Sequence, residues 1–293
     1  MNISEVTIQY IQGKDMMKKY SGIVLLITLI MCTGCASMKN LYLSEVQKEL
    51  TKYSSSAPDI ITESDIASLP ELVREYFRHC GYVGKEKMIN AEIEWKNVYM
   101  RMSPGKKWLK VNYIQFNSVP EPTRFAYIKS RIFGLFPFEG RDKYQDGHGN
   151  MLIKLMKIIK VADAKGKEMD ESALVTILAE ALLIPAYALQ DYITWTAIDS
   201  DTAKAVMKYS GSEVSGRFYF NDKGEFIRFE TDDRYYSEKG KEYRKVKWSG
   251  VAANYIEKNG VKFPSDFRAI WHTEEGDFEY FKGTIADIKY NIK

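Results

Sequence analysis

A short polar stretch, GRDKYQDGHGN at 140–150, collects residue types that carry acid–base chemistry. Asp142 and Asp146 supply two carboxylates, and His148 supplies a group that titrates near neutral pH. Glu180, further along the chain, adds a third carboxylate. Carboxylates held about 5–9 Å apart in a cleft can act as general acid and general base, which makes a hydrolase one hypothesis. The alternative is structural, because aspartates beside glycine in loops are commonly turn residues.

The sequence contains no motif for metal binding, nucleophilic catalysis or phosphate binding. Three cysteines and three histidines fit no zinc-ligand spacing, and neither a nucleophile elbow nor a phosphate loop is present. The net charge is +3, from 42 basic and 39 acidic residues, without an arginine–lysine block. We therefore expect no cofactor, no metal and no nucleic-acid partner.

The amino-terminal region has the order of an export signal. Two lysines at 18–19 precede an apolar run at 23–31, and small residues follow it. The run is too short to cross the ~30 Å hydrocarbon core of a membrane. We predict a signal peptide over 1–34, whose translation start is Met16 or Met17.

The stretch MCTGCAS resembles a bacterial lipobox, with Thr33 and Gly34 before Cys35 as the lipidated residue. It departs from the usual pattern at Cys32, where leucine is common. The resemblance implies anchoring through lipid at Cys35, on the outer side of a bacterial membrane. With Ala36 after the cysteine, it implies the outer membrane, facing the periplasm, if the source has two membranes. The alternatives are an ordinary cleaved signal and a retained hydrophobic tail.

The mature chain divides into a tether and one domain. We predict a lipidated tether over 35–62, with a weak helix at 41–50 and linker composition, SSSAPD, at 54–59. A single α+β domain is expected over 63–293. Cys80 has no partner for an internal disulfide, because the other two cysteines lie in the leader region, so the domain relies on its core.

The domain opens with a predicted helix over 69–80. Ser68 and Glu71 have capping-box spacing, and Pro70 suits a first turn. Apolar residues then repeat at steps of three and four, at Leu69, Leu72, Val73, Tyr76, Phe77 and Cys80. Gly81 supplies the stop, so one face of this helix is expected to be buried.

Alternation dominates the remainder. Apolar and polar residues alternate over 89–96, and the same period of two recurs at 109–113 and 217–220. Hairpin-type turns are spaced along the second half, as NDKG at 221–224, SEKG at 237–240, NG at 259–260 and EEGD at 274–277. The part from about Val214 is therefore predicted to be an antiparallel meander of at least five strands.

The apolar run LVTILAEALLIPAYAL at 174–189 is predicted to be a core helix. Sixteen helical residues reach only about 24 Å, which is short of a bilayer core, and Pro185 breaks the helix. With Asp170 as N-cap, the helix should run over 171–184, against the concave face of the sheet.

Glu180 is the only charged residue in that run, and two explanations stay open. Ser172, Thr176 and Glu180 fall at four-residue steps and could form a narrow stripe facing solvent. Alternatively, Glu180 points inward and is paired with an arginine, for which Arg141 and Arg234 are the candidates.

Seven stretches in this order resemble an uncharacterised bacterial domain family, domain of unknown function 6544. They are LPELVREYFRHCG at 69–81, GRDKYQDGHGNM at 140–151, LAEALLIP at 178–185, WTAID at 195–199, FNDKGE at 220–225, NGVKFP at 259–264 and GDFEYFKGTI at 276–285. The family's polar motif falls on Arg141, Asp142, Tyr144, Asp146, Gly147, Gly149, Glu180 and Asp199. The glycines suit a tight turn with positive φ. The resemblance covers about 63–293 and implies no activity.

The family's fold is similar to that of the periplasmic lipoprotein carriers, an open antiparallel half-barrel with helices on its hollow side. This implies a non-catalytic carrier or binder of a hydrophobic ligand or lipid, which we favour over the hydrolase. Candidates for the pocket lining are Phe133, Phe136, Phe138, Leu183, Trp195 and Trp271. If these residues instead fill the core, a structural partner in envelope assembly is the remaining hypothesis.

Overall fold

The computed structural model of the protein describes residues 37–55, 58–132, 134–238 and 242–293. The chain from Met38 to Lys293 forms one compact unit. The signal peptide, the lipobox with Cys35, and Phe133 lie outside the described residues, so the predictions about them stay predictions. No helix in the described part of the chain has the length and apolar character needed to cross a membrane.

Helices make up a small part of the described chain. The four α-helices are α1 (Met38–Lys52), α2 (Glu63–Ile66), α3 (Glu71–His79) and α4 (Lys167–Ala179), and a 3-10 helix covers Pro185–Leu189.

Strands form the rest of the fold. They are β1 (Asn90–Met100), β2 (Leu109–Ser118), β3 (Thr123–Ile132), β4 (Phe136–Gln145), β5 (His148–Leu155), β6 (Ile159–Ala164), β7 (Ile193–Ala197), β8 (Thr202–Tyr209), β9 (Ser212–Phe220), β10 (Phe226–Thr231), β11 (Tyr235–Tyr236), β12 (Arg244–Lys245), β13 (Trp248–Lys258), β14 (Val261–Thr273) and β15 (Gly276–Tyr290). Thirteen of them form one antiparallel sheet in the order β6, β5, β4, β3, β2, β1, β15, β14, β13, β10, β9, β8, β7, and β11 pairs with β12.

The predicted strand pattern is found in the structure. On β1, Ala91 and Ile93 are fully buried, as the alternation requires. The turn between β13 and β14 has Asn259 at φ 53 and Gly260 at φ 72, the left-handed pair that a two-residue hairpin needs. Strands β9, β10, β13, β14 and β15 form the predicted meander, with the β11–β12 hairpin inserted after β10.

The sheet curls until its two ends meet across α4. Helix α4 contacts β4 and β5 near one edge of the sheet and β8 and β9 near the other. Directly across the gap, the rings of Tyr144 on β4 and Tyr209 on β8 are 6.5 Å apart. The two edge strands, β6 and β7, are not paired with each other. The fold is thus the expected α+β class, an open curled sheet with α4 on its concave side.

Two glycines permit this closure. A Cβ on Gly147, which has φ +84, would lie 2.4 Å from the Ser210 Cβ in the β8–β9 turn. A Cβ on Gly149 would lie 2.4 Å from the Met169 carbonyl oxygen at the start of α4. Gly149 is therefore needed for close packing and not, as predicted, for a positive φ.

Helix α3 is the predicted helix over 69–80, with two corrections at its start. It begins at Glu71 with Pro70 as N-cap, and no side chain caps it. A capping box is formed one helix earlier, by Thr62 and Asp65. Tyr76 and Phe77 are fully buried, as the apolar stripe predicts.

The predicted tether is wrong for Met38–Lys52. These residues form α1, which packs on β3 and β4 on the convex face of the sheet. Met38 and Tyr42 are each 2% exposed and belong to a cluster with Phe116, Phe125 and Tyr127. The sequence did not show this because a weakly amphipathic helix is stabilised by the surface it covers rather than by propensity.

Helix α4 starts and ends earlier than predicted. It covers Lys167–Ala179 instead of 171–184, with Gly166 as N-cap. Asp170 does not cap the helix, because it lies in the first turn and its Oδ1 accepts a hydrogen bond of 2.7 Å from the Gly149 N–H. Glu180 is the C-cap residue, and the chain then turns into the 3-10 helix that begins at Pro185.

Candidate functional site

A cavity of about 180 Å³, partly open to solvent, lies between the concave face of the sheet and the end of α4. Most of its wall is apolar, and the polar remainder includes arginines, carboxylates, Gln115 and Thr176. Its lining is Trp95, Met100, Tyr113, Gln115, Arg124, Ile128, Asp142, Met151, Thr176, Ala179, Glu180, Leu183, Phe226, Phe229, Arg234, Trp248, Gly250, Phe267, Arg268, Ala269, Tyr280 and Phe281.

Arg124 organises the charged part of this wall. Its Nε donates to Glu180 Oε1 at 2.9 Å, and its Nη1 donates to Asp142 Oδ2 at 2.8 Å. Its Nη2 donates to the Tyr113 hydroxyl at 2.7 Å. The Arg124 side chain is only 7% exposed, so each of these charge-assisted bonds is shielded from water.

Three neighbouring strands bring these groups together. Arg124 is on β3, Tyr113 on β2 and Asp142 on β4, and Asp142 pairs in register with Ala126. Because side chains alternate along a strand, Arg124 and Ala126 face the concave side while Phe125 faces α1. Strand register therefore fixes the position of the cluster.

The Glu180 carboxylate is held from a second direction. Asn117 Nδ2 donates to Glu180 Oε2 at 2.9 Å and lies 3.3 Å from the Tyr187 hydroxyl. The Tyr187 hydroxyl donates to the Ser118 carbonyl oxygen at 2.9 Å. The network thus joins β2, β3 and β4 to the end of α4 and to the 3-10 helix.

The electrostatics of the cluster favour a charged arginine. Burial lowers the pKa of Arg124, but the Glu180 and Asp142 carboxylates outweigh this and hold that pKa well above its ordinary value. Burial raises the pKa of Tyr113, which therefore stays neutral and can accept the guanidinium hydrogen bond. One cation faces two carboxylates here, and all three side chains are engaged.

A second arginine occupies another part of the wall. Arg234 Nη1 donates to Thr176 Oγ1 at 2.7 Å. Its guanidinium lies 4.5 Å from the centre of the Trp248 ring and 5.7 Å from that of Trp271. Cation–π contacts of this kind hold an arginine in place without a carboxylate.

The family of the chain follows from its sequence. Residues 59–283 match a family described as "Family of unknown function (DUF6544)". The chain belongs to this family. No curated protein matches it. Among solved structures, it is similar to a LolA superfamily protein from Nitrosomonas europaea, with 9% identity and a TM-score of 0.42 over 75% of this chain and 94% of that one. A likeness at this level says nothing about function.

The polar motif residues of this DUF6544 member lie on both faces of the sheet. Glu180 points inward and is paired with an arginine, so the solvent-stripe explanation is wrong. The partner is Arg124, however, and neither Arg141 nor Arg234. Arg141 lies on the convex face, where its Nη1 donates to Glu45 Oε1 of α1 at 2.6 Å.

The stripe on α4 is nonetheless polar along its length. Ser172 Oγ accepts a hydrogen bond of 3.1 Å from the Tyr235 N–H, and Thr176 accepts from Arg234. With Glu180 bound by Arg124, each member of the stripe has a partner on a strand or on the segment after β10. The stripe therefore faces protein groups and the cavity.

The remaining motif residues lie away from the cavity. Tyr144 is buried beside the closing edge, and Asp146 has φ 53 in the β4–β5 turn. Asp199 Oδ1 accepts a hydrogen bond of 3.1 Å from the Asp201 N–H in an exposed turn. His148 is 82% exposed and lies 3.4 Å from Asp170. These positions do not assemble with Asp142 and Glu180 in one cleft.

Only some of the residues predicted to line the pocket lie at the cavity. Leu183 lines the cavity, and Trp271 lies behind Arg234. Phe136 is 44% exposed on the far part of β4, and Phe138 is not part of the wall. Trp195 packs on Phe218 at 4.8 Å on the β7 side of the sheet.

A second set of chemical groups lies on the convex face. Ser249 Oγ is 2.9 Å from His272 Nε2, and His272 Nδ1 is 2.7 Å from Asp277 Oδ1, the order of a catalytic triad. Ser249 has no exposed surface, and β13 is paired with β10 and β14 on either side of it. Its hydroxyl is thus closed to a substrate, and the paired strand supplies no oxyanion hole. No metal-binding group of side chains occurs in the described part of the chain.

The sequence did not point to Arg124 or to most of the aromatic wall. Strand β3 reads TRFAYIKSRI, with large apolar residues on both faces, so alternation alone did not mark Arg124 as inward-facing. The sequence did contain one usable signal. Side chains alternate along β4, so Asp142 and Arg141 must lie on opposite faces of the sheet.

Proposed function

We propose that this protein is a lipid-anchored protein of the cell envelope that binds a hydrophobic ligand in the cavity beside α4. The observation that carries the proposal is the cavity itself. A sheet filled completely by side chains would have left none, whereas this one keeps an apolar, partly open space next to a rigid charged cluster.

The wall of the cavity suits an apolar guest. The Trp95 ring contacts those of Tyr113, Phe267 and Phe281, with centroids 5.8, 5.7 and 5.6 Å away. These edge-to-face contacts fix the rings without occupying the space that they border. Apolar surface displayed toward a cavity in this way gains free energy when a ligand removes it from water.

The volume limits what can be enclosed. An apolar cavity of about 150 Å³ is enough for a benzene ring. At about 180 Å³, the space beside α4 fits one ring or the end of an alkyl chain. A lipid-sized ligand would project through the open side or would require the wall to move.

The polar groups of the wall have different roles. Arg124 already binds two carboxylates and a tyrosine hydroxyl, so it stabilises the wall. Among the described residues, the Arg234 side chain makes one hydrogen bond, to Thr176, and takes part in no ion pair. Its other N–H groups are the ones available to a polar atom of the ligand.

The anchor is supported by the sequence alone. Cys35 follows an apolar run and two small residues in the lipobox order. Only Ala36 and Ser37 separate it from α1, which begins at Met38. Globomycin treatment should block processing and leave a heavier precursor, and Cys35→Ala should release the protein from membranes. A Cys35→Ala protein that stays membrane-bound would contradict the anchor.

The ligand is tested by mass spectrometry of the protein purified under mild conditions. We expect an apolar molecule to co-purify with the wild type. Ala179→Phe, which fills the cavity from the end of α4, should remove it, whereas Ala253→Phe on the exposed face of β13 should not. A ligand-free wild type that also binds no added dodecanol would leave the structural-partner hypothesis in place of the carrier.

A further inference from the structure

One corner of the sheet exposes far more apolar surface than a solvated hairpin requires. The β3–β4 turn, the β5–β6 turn and the edge strand β6 carry Leu135 (74% exposed), Phe136 (44%), Met156 (47%), Ile158 (66%), Ile159 (52%) and Val161 (60%). We call these six residues the apolar tip. Isolated exposed apolar residues are ordinary, but a contiguous group marks a site of interaction.

Strand pairing shows that the tip is contiguous. Phe136 pairs with Ile132 at the end of β3, and two residues on, Phe138 pairs with Leu155 at the end of β5. The Met156 N–H donates to the Pro137 carbonyl oxygen at 2.7 Å, which places the two turns side by side. Both turns therefore project from the same end of the sheet.

The exposed charges nearest the tip are basic, and the carboxylate that pairs in register with Lys129 and Lys154, Glu139, is buried. Neither 129–136 nor 153–161 contains an aspartate or a glutamate. The basic residues of these segments are Lys129, Arg131, Lys154, Lys157 and Lys160. The first carboxylate along β6 is Asp163, which pairs with Lys160 at 3.1 Å and Lys165 at 3.4 Å.

The turn that presents the tip has an uncommon backbone. Met156 has φ 53 and Lys157 has φ 66, and the Ile158 N–H donates to the Leu155 carbonyl oxygen at 3.3 Å. Two consecutive turn residues at positive φ favour Asn-Gly, because other residues are strained there. Met156 and Lys157 are therefore less favourable here than Asn-Gly would be, but they add apolar and basic surface to the turn.

We propose that the apolar tip docks on the surface of an anionic lipid bilayer. Apolar side chains enter the boundary between headgroups and acyl chains, while the surrounding lysines and arginine bind lipid phosphates. A bilayer fits better than an acidic protein surface, because bulky exposed apolar side chains lie beside exposed basic residues on two neighbouring turns and on β6.

The same end of the sheet adjoins the cavity. Ile128 lines the cavity, and β3 continues from it to Ile132 beside the tip, four residues or about 13 Å away. Docking in this orientation would bring the cavity close to the membrane. The inference does not depend on a ligand, because it rests on exposed residues outside the cavity wall.

The test measures partition of the full chain onto vesicles of phosphatidylcholine alone and of phosphatidylcholine with phosphatidylglycerol. The ratio of the two partition coefficients removes any contribution from an amino-terminal lipid or apolar segment, which acts on both vesicles. Lys157→Gln should lower the ratio about fivefold. Lys223→Gln, in the exposed β9–β10 turn, is the matched control and should leave it unchanged.

The apolar part is tested separately. Ile158→Ser should weaken binding to both vesicles by about three- to tenfold and leave the ratio unchanged. Its control is Ile198→Ser, at a residue 50% exposed outside the tip. A wild-type ratio near one, or tip variants that behave like their controls, would overturn the proposal. Neither result would bear on the ligand cavity, which is tested by Ala179→Phe.

Discussion

The Nε of Arg124 lies 2.9 Å from Oε1 of Glu180, a bond that joins the start of β3 to the residue that ends α4. A carboxylate at a helix C-terminus is unfavourable, because the carbonyl end of the helix dipole is also negative. Arg124 offsets this repulsion at the C-cap of the helix. Both members of the ion pair line the cavity.

Glu180→Gln should lower the free energy of unfolding by about 2 kcal/mol, the order of a hydrogen bond to a charged group. The loss stays below that of a fully broken buried pair, because Asp142 still binds Arg124. Urea unfolding measures it, and Asp146→Asn, at an exposed turn position that tolerates asparagine, is the control. A loss below about 0.5 kcal/mol would show that the pair contributes nothing.

Arg124→Met should cost more, about 4 kcal/mol near neutral pH, because it leaves Glu180 and Asp142 without a cation. A double variant with Glu180→Gln should lose less stability than the sum of the two single variants. Strict additivity would mean that the two side chains do not interact.

Tyr42→Ala should destabilise the domain by about 3 kcal/mol, because it empties the contact between α1 and the convex face of the sheet. Tyr42 is 2% exposed and its ring centroid is 6.2 Å from that of Tyr127. Leu43→Ala, at a residue 47% exposed on the same helix, is the control. Equal stability of the two variants would restore the view of this segment as a free tether.

Phe77→Ala should lower the free energy of unfolding by about 3–5 kcal/mol, the range for removing a fully buried aromatic ring. Phe77 has no exposed surface and lies 6.1 Å, ring to ring, from Tyr82. Thermal or urea unfolding measures the loss. If the variant unfolds like the wild type, α3 does not form part of the core.

Stability should fall in strongly alkaline solution. Burial raises the pKa of Tyr76, Tyr82 and Tyr187 above the ordinary tyrosine value. Such a group is protonated in the folded protein after it has ionised in the unfolded chain, so its stabilising effect is complete below about pH 10 and is lost as the pH rises further. Urea unfolding at pH 9 and pH 11, with tyrosinate absorbance, checks this. Full ionisation of folded protein at pH 11 would contradict it.

The elements around the cavity were predictable from local sequence patterns, whereas the ion pair in its wall was not. The alternation of apolar and polar residues predicted β1, and apolar residues at steps of three and four predicted α3. Each pattern indicates which side of the element is buried. The apolar run at 174–189 predicted an internal helix, but it left open whether the lone carboxylate faces solvent or an arginine. Which arginine pairs with Glu180 depends on the register between β3 and β4, and local sequence does not encode that register.

The sequence by itself determined strand β1, helix α3, the α+β class and the meander, and it left open whether Glu180 faces solvent or the interior. The tertiary structure alone decided that Arg124 binds Glu180, that Arg141 binds Glu45 of α1, and that the two ends of the sheet meet across α4. The physical reason is range. Helix and strand patterns arise from neighbours a few residues apart, whereas an ion pair between residues 56 positions apart exists only after the sheet has curled.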